Sequence, residues 1–326
     1  MKNIKNIAFA VIAATTIVSC ERNSTYENVK PSIANIAVSN PSFSTLEAAA
    51  VQGGVAVVLS NNNPGDPSGH YTVFAPTNDA FARLGLTENN LSVLNPTFLT
   101  NTLLYHVSNG DLLNGNFTAP SGSALSGLTR RFVSRGNDKF INGSKIIATD
   151  ISAANGTVHA IDKVMIATGG NIVESALAVQ SGGVFVQPDL TYLVEAVVYT
   201  GLIPTLSNPA ANYTVFAPND TAFKKLIKAV LNIDNPKPAD IRLIPVGTVT
   251  AVLANHVLTS SGMFTSEMNA GTKTSFGGGT LTFGAYNNGV LTVDGGDVNF
   301  GPANMVIPDI QATNGVIHII DTVLMP

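Results

Sequence analysis

The chain has 326 residues, of which 45% are hydrophobic and 12% are charged, and its formal net charge is −4 at pH 7. This length provides enough apolar material for about two domains with separate cores. The slightly negative charge and the lack of basic runs argue against nucleic acid as a partner. The 29 glycines and 17 prolines are spread among short β-branched runs, which favours turn-rich domains that mix helices and strands.

The N-terminus has the pattern of an export signal. Two lysines precede an apolar run over residues 7–18 that is too short to span a membrane, so residues 1–19 are predicted to be a signal peptide. The sole cysteine follows as Cys20, in an Ile-Val-Ser-Cys sequence that resembles the lipobox of bacterial lipoproteins. We favour a lipidated Cys20 over an incidental cysteine, because one unpaired thiol in an exported chain otherwise needs an explanation. Its acyl chains would anchor the protein to a membrane, and residues 20–30 would form a polar tether.

The first folded feature is a stretch that occurs twice. Residues 71–81 read Tyr-Thr-Val-Phe-Ala-Pro-Thr-Asn-Asp-Ala-Phe, and residues 213–223 read Tyr-Thr-Val-Phe-Ala-Pro-Asn-Asp-Thr-Ala-Phe. The β-branched and aromatic run predicts a buried strand, and the proline holds the residue before it in an extended conformation. Two residues after the proline, Asn78 and Asp220 each carry a side-chain oxygen. Their position predicts that they cap the N-terminus of the next helix.

Two further blocks repeat in the same order. Residues 150–164 match residues 309–323, with Asn-Gly, His and Asp at equivalent positions, and Tyr105-His106 matches Asn255-His256. The blocks lie farther apart in the second copy, which indicates longer loops on a common scaffold. The repeat therefore divides the folded part into a first domain, 31–167, and a second domain, 168–326.

Apolar periodicity predicts helices followed by a run of short strands in each copy. In the first copy we predict helices within 32–59, from residue 78 and over 96–106, then strands over 130–134, 139–142, 144–148 and 157–166. In the second copy we predict helices over 172–178 and 191–202, and strands over 281–283, 290–293 and 316–324. This order favours an α+β fold in which each domain has a compact, largely antiparallel sheet.

Taken in order, the Thr-Val-Phe-Ala-Pro block, the Tyr-His pair and the Asn-Gly, His and Asp block closely resemble the fasciclin, or FAS1, domain family. The resemblance covers roughly residues 31–326 and implies two tandem FAS1-like domains, each a compact wedge or sandwich of β-sheet with several helices. It also implies a role in cell adhesion. In animal members an Asp-Ile pair at this place and the Tyr-His region are linked to integrin binding. By that resemblance the candidate partner-binding residues are Asp150, Ile151, Asp309, Ile310, Tyr105 and His106, although Asn255 replaces the tyrosine in the second copy.

No catalytic, metal or cofactor site is predicted. The chain contains no nucleophile elbow, His-Glu-x-x-His, Walker or dinucleotide-binding motif. His159 and His318 lie inside apolar strands, where a histidine bonded to backbone or carboxylate is more typical than a metal ligand or a general base. His106 and His256 each close an apolar helical stretch, where an imidazole can bond the last carbonyl groups.

Two classes of function remain open. The first is a non-enzymatic adhesion or binding protein, anchored in the outer membrane or at the cell surface, whose partner is a protein or a glycan. The second is an envelope hydrolase or a carbohydrate-processing factor, which no repeated carboxylate pair or nucleophile–base arrangement favours. An exposed patch would support the first class, and a deep pocket with perturbed titratable groups would support the second.

Overall fold

The computed structural model describes residues 30–117, 121–180, 189–259 and 261–326. The predicted signal peptide and Cys20 lie outside the described residues, as does most of the predicted tether.

Each half of the chain begins with three helices, continues with one strand and two more helices, and ends with the remaining strands. In the first half the helices are α1 (Ile33–Ser39), α2 (Ser44–Gln52), α3 (Ala56–Ser60), α4 (Asn78–Ala82) and α5 (Pro96–Tyr105), and the strands are β1 (Tyr71–Pro76), β2 (Val107–Asn109), β3 (Ser121–Ser123), β4 (Thr129–Arg130), β5 (Phe132–Arg135), β6 (Asp138–Ile141), β7 (Ser144–Ala153), β8 (Gly156–Ile161) and β9 (Ile166–Ala167). In the second half the helices are α6 (Ile172–Gln180), α7 (Thr191–Thr200), α8 (Ile203–Leu206), α9 (Asp220–Leu231) and α10 (Val246–Asn255), and the strands are β10 (Tyr213–Pro218), β11 (Val257–Leu258), β12 (Gly271–Thr274), β13 (Thr280–Phe283), β14 (Thr292–Asp294), β15 (Ala303–Ala312) and β16 (Gly315–Ile320). Short 3-10 helices cover Pro41–Phe43, Leu91–Val93, Asn114–Asn116, Pro238–Leu243 and Thr265–Glu267.

The two main sheets share one strand order, to which the second sheet adds β12 at one edge. The first runs β2-β1-β8-β7-β6-β5, and the second runs β11-β10-β16-β15-β14-β13-β12. Along these two orders, neighbouring strands are antiparallel except at the centre, where β1 pairs with β8 and β10 pairs with β16 in parallel. The predicted α+β fold with largely antiparallel sheets is therefore confirmed.

The central strand of each sheet is buried on both faces. In β1, Val73 and Ala75 belong to the apolar core beneath the helices, whereas Phe74 belongs to a second core on the opposite face of the sheet. Because alternate side chains enter different cores, all six residues of the strand are buried. The same division separates Val215 from Phe216 in β10.

The repeated Asn-Gly pair explains how the helical layer is attached to the sheet. Asn155 accepts a hydrogen bond from the Ile33 N–H at 2.9 Å and donates to the Leu59 carbonyl at 2.9 Å, so it joins α1 to the end of α3. Asn314 accepts in the same way from Ile172 at 2.9 Å. The residue after Asn155 is glycine because a Cβ on Gly156 would lie 1.9 Å from the Tyr71 carbonyl oxygen. No other residue fits so close to the neighbouring strand.

The predicted helix caps Asn78 and Asp220 are wrong by one residue. The N-caps of α4 and α9 are Thr77 and Asn219, whose side chains accept from N–H groups of the first turn. Asn78 instead accepts from the Thr45 N–H at 3.0 Å, at the start of α2. Asp220 likewise accepts from the Tyr192 N–H at 3.1 Å, at the start of α7. The repeated side chain therefore caps a neighbouring helix, a contact that local sequence does not reveal.

Candidate functional site

Asp150 and Asp309, two of the candidate partner-binding residues, occupy equivalent bulges in β7 and β15. Both have a left-handed backbone, with φ of 59° and 67°, and both lie where the strand register shifts against the next strand. Such a conformation is strained for a residue other than glycine, although aspartate tolerates it better than most. Each bulge turns its aspartate out of the regular pleat of the strand.

A buried histidine holds each bulge in place. The Asp150 N–H donates to His159 Nδ1 at 3.1 Å, and the Asp309 N–H donates to His318 Nδ1 at 3.2 Å. Nε2 of each ring bonds a backbone carbonyl, of Leu112 at 2.8 Å or Met263 at 2.9 Å. Each ring is therefore neutral, with its proton on Nε2, and burial lowers the pKa of both histidines.

His106 and His256 use the opposite tautomer. Nδ1 of each ring donates to the carbonyl four residues earlier, and Nε2 accepts from a backbone N–H: Met165 at 2.9 Å for His106, and Leu324 at 2.8 Å for His256. Burial lowers the pKa of both rings to about 4. Both nitrogens of each ring are thus used inside the domain, which leaves no free atom to bind a partner.

Asp309 lies at the contact between the two domains. Its carboxylate accepts from Lys163 Nζ of the first domain at 2.6 Å and from the Thr265 hydroxyl at 2.6 Å. The side chains of Lys163 and Asp309 are only 9% and 10% exposed. Burial alone would raise the pKa of Asp309, but the Lys163 charge and the hydrogen bonds outweigh it, so the pKa is lowered. The other bonds of the ammonium, to the Thr265 hydroxyl and to the Gly289 carbonyl, also reach the second domain.

Two arginines extend this contact. Arg131 forms an ion pair with Glu267 at 2.7 Å, and its guanidinium lies 4.9 Å from the centre of the Phe264 ring. Arg135 donates to the Ser266 carbonyl at 2.9 Å and packs 4.3 Å from the centre of the Tyr286 ring. The first domain therefore has a positively charged edge. It contacts carbonyl oxygens, carboxylates and aromatic rings of the second domain.

The backbone also joins the two domains. Strand β9 follows the first sheet in the chain but pairs in parallel with β15 of the second sheet, with Ile166 opposite Ile310. Gly143, in the turn between β6 and β7, lies against Asp309, and a Cβ there would come within 1.9 Å of the carboxylate oxygen. The partners in these contacts are more than a hundred residues apart, so local sequence carries no mark of them.

Burial separates the candidate partner-binding residues into two groups. Ile310, Tyr105 and His106 are buried, and the side chain of Asp309 is 10% exposed. Tyr105 accepts a hydrogen bond from Asn142 at 2.6 Å and also contacts Gln311 across the domain contact. Packing inside the molecule therefore takes up all four side chains, and their role in partner binding stays a prediction. Only the first-domain pair remains accessible, with Asp150 exposed and Ile151 half-buried.

The Asp150 carboxylate repeats part of the Asp309 arrangement without its cation. It accepts from the Asn114 N–H at 2.9 Å, as Asp309 accepts from the Thr265 N–H at 2.6 Å. Lys139 bonds the Asn114 carbonyl at 2.9 Å and makes no ion pair with Asp150. Among the described residues, no lysine, arginine or histidine nitrogen lies within 4.0 Å of the Asp150 carboxylate.

The described residues also enclose space. Two apolar cavities of about 180 Å³ each lie beneath the helices, one in each domain. A more open cleft of about 400 Å³ between the domains is lined by Arg83 and Lys224 together with Asp189 and Asp220, so it carries both signs of charge. Asp220 is engaged in capping α7, as described above.

The described residues form neither a metal-binding cluster nor a membrane-spanning helix. Within residues 30–117, 121–180, 189–259 and 261–326, no three His, Cys, Asp or Glu side chains are grouped so that they could hold a metal ion. In the same part of the chain, none of the helices combines the length and the apolar character needed to cross a membrane.

Two copies of one helix-and-sheet domain, joined by a polar contact and a shared strand pairing, define a tandem-domain protein. The model of the fasciclin domain family matches residues 41–167 and 188–326, which include both copies of every repeated block. The chain therefore belongs to the fasciclin domain family and contains two tandem FAS1 domains.

Similar proteins include two from animals. Transforming growth factor-beta-induced protein ig-h3 of Sus scrofa is 28% identical over 264 residues, which covers 79% of this chain and 35% of that protein. Human periostin is 30% identical over 271 residues, which covers 79% of this chain and 28% of periostin. The chain thus spans about a third of the length of these relatives. A solved FAS1 domain pair from the insect cell adhesion molecule Fasciclin I is similar over 79% of this chain and 89% of that chain, with 18% identity and a TM-score of 0.39.

Proposed function

We propose that this chain is an exported, lipid-anchored protein of the cell envelope that binds a protein or a glycan through its FAS1 domains without catalysing a reaction. Membership of the fasciclin family supports a role in binding or adhesion. The observation that carries the proposal is Asp150, an exposed carboxylate on a strained bulge that a buried histidine holds in place. Strained backbone of this kind is concentrated at functional sites.

The contact between the domains indicates what chemistry Asp150 would accept. The equivalent carboxylate, Asp309, receives the ammonium of Lys163. By analogy, Asp150 and the half-buried Ile151 beside it would receive a lysine or arginine side chain of a partner protein, or a donor group of a glycan. The carboxylate would supply a charge-assisted hydrogen bond and the isoleucine an apolar contact.

The binding test uses the soluble fragment 21–326 and its Asp150→Asn variant, in a pull-down against envelope and matrix proteins and on a glycan array. Asparagine tolerates the same backbone conformation and keeps an oxygen for the Asn114 N–H, so the fold should persist. Asp234→Asn is the matched control, because it removes one charge from an exposed aspartate of the second domain. We expect saturable binding that only Asp150→Asn weakens. Turnover in a hydrolase panel without any saturable binding would replace the proposal with the enzymatic alternative.

Lipid anchoring has its own test. In a bacterial host, the intact chain should be recovered in the membrane fraction, and Cys20→Ala should release it into a soluble fraction. Mass spectrometry of the mature N-terminus should find acyl groups on Cys20. An unmodified N-terminus on a soluble wild-type protein would refute the anchor without affecting the binding proposal.

A further inference from the structure

The two apolar cavities occupy the same place in the two domains. The first lies between α1, α2 and α3 and the central strands, against Val73, Ala75 and Val158. The second lies between α6, α7 and α8 and the corresponding strands, against Val215, Ala217 and Ile317. The helices α1 and α6 that cover them are each held by the same asparagine bond to their first N–H. The two cavities are therefore equivalent by position as well as by size.

The two linings differ at some equivalent positions and agree at others. Val158 of the first cavity corresponds to Ile317 of the second, whereas Leu59 corresponds to Leu206, since the equivalent Asn155 and Asn314 donate to their carbonyl groups, and each cavity measures about 180 Å³. Protein interiors are normally packed to the density of organic crystals, and an unfilled apolar cavity reduces stability. Repacking could have closed either cavity with one larger side chain. Retention of the same volume in two diverged copies points to a use for it.

The lining of the two cavities favours a hydrocarbon ligand. Within the described part of the chain, the side chains that border the second cavity are all apolar. The first is also bordered by Asn35, Glu47 and Ser60, which are exposed or half-buried, and by His106, whose two ring nitrogens are both bonded to the backbone and so offer a ligand no free polar atom. A polar or charged group placed inside either cavity would lose its hydrogen bonds to water without replacement. The group that enters must therefore be apolar.

Each cavity opens towards solvent past exposed apolar side chains. Val38 and Val51 border the first cavity and are 60% and 67% exposed, and Leu177 and Val198 border the second and are about half exposed. Large exposed hydrophobic side chains that adjoin a cavity extend its apolar surface outward. A linear ligand could therefore place its end inside and continue along the opening, with its polar group in water.

We propose that each FAS1 domain of this chain binds the end of an aliphatic chain, such as the acyl tail of a fatty acid or a lipid, in the cavity beneath its first helix. An engineered apolar cavity of about 150 Å³ in another protein takes up benzene or xenon, so these volumes suffice for several carbon atoms. The expected stoichiometry is two chains per molecule. This activity is separate from the Asp150 site and goes beyond the binding function proposed above.

The test titrates the soluble fragment 21–326 with cis-parinaric acid, a fatty acid whose fluorescence rises in an apolar environment. Two variants fill the cavities from equivalent positions on α1 and α6: Ala37→Phe for the first and Ala176→Phe for the second. We expect saturation at about two probes per wild-type chain, about one in each single variant, and no saturable uptake in the double variant. Val57→Phe and Val230→Phe are the matched controls, because both valines are exposed and neither borders a cavity.

A second measurement guards against misfolded variants. Bound ligand raises the midpoint of thermal unfolding, so the probe should raise it for the wild type and for both controls but not for the double variant. Ala37→Leu and Ala176→Leu are smaller fillings that should weaken binding while keeping the fold. Parallel titrations with the methyl ester and with phospholipid vesicles that carry parinaroyl chains distinguish a free acid from a membrane lipid as the source. Uptake that is absent from the wild type, or unchanged in the folded double variant, would overturn the proposal.

Discussion

The side chains of Lys163 and Asp309 are nearly buried and form an ion pair across the domain contact. Removing one member of such a pair leaves an uncompensated charge in a site with little water, which costs more than the pair itself contributes. We expect Lys163→Met to lower the free energy of unfolding by about 3–5 kcal/mol, measured by urea denaturation. Lys145→Met is the control, because its ion pair with Asp138 is exposed and should contribute no more than about 1 kcal/mol. Equal effects of the two substitutions would contradict this assignment.

The four neutral histidines make stability depend on pH. Burial lowers the pKa of His106 and His256 to about 4, whereas an unfolded histidine has a pKa of about 6.5. As the pH falls through 6.5 the unfolded chain takes up protons and the folded chain does not. The stabilisation from these rings is therefore complete above pH 6.5 and is lost as the pH falls towards 4, by at most about 1.4 kcal/mol per ring per pH unit.

Thermal unfolding between pH 7 and pH 4.5 measures this dependence. The midpoint should fall with pH more steeply in the wild type than in a His106→Gln, His256→Gln variant, which has two fewer groups to protonate on unfolding. The lowered pKa of His159 and of His318 acts in the same direction, so the variant should keep part of the slope. An identical slope in both proteins would mean that these rings are not neutral in the folded state.

At the scale of the elements, each repeated Asn or Asp after the central strand belongs to a neighbouring helix. Asn78→Ala should remove the cap of α2 and Asp220→Ala that of α7, at a cost of about 1 kcal/mol each in free energy of unfolding. Hydrogen exchange should locate the loss. Faster exchange is expected at Thr45 and Tyr192, whose N–H groups lose their acceptors. Faster exchange confined to α4 and α9 would instead mean that Asn78 and Asp220 cap those two helices, as the sequence predicted.

The outcome for these caps illustrates what the sequence could and could not predict. The repeat of the Tyr-Thr-Val-Phe strand, the helix over 96–106 and the strands over 139–142 and 144–148 were all predictable, because each depends on residues close in the chain. The parallel pairing of β1 with β8 was not, since two strands more than seventy residues apart carry no local mark of their partnership. For the same reason Asp150 and Asp309 looked equivalent. Only the fold shows that Lys163 covers Asp309, whereas Asp150 has no such partner and stays exposed.

At the scale of the whole molecule, the two domains form a continuous structure. The edge with Arg131, Arg135 and Lys163 fits against the second domain, while β9 adds a strand to the second sheet. Domains joined by a small polar contact usually move independently. Here a backbone pairing and a buried ion pair join them, so relative motion would break both. The exposed Asp150 is consequently held at a fixed position relative to the second domain.

Gly143→Ala tests this coupling without altering either core. The new Cβ would lie 1.9 Å from the Asp309 carboxylate, so either that carboxylate or the domain contact must shift, whereas Gly115→Ala places its Cβ in open space and serves as the control. In scanning calorimetry we expect one cooperative transition for the wild type and the control, with equal calorimetric and van't Hoff enthalpies. Gly143→Ala should give two separate transitions, because each domain keeps its own core but loses the contact that links its unfolding to the other. A single unchanged transition in this variant would show that the carboxylate can move aside, and that the coupling rests on the strand pairing alone.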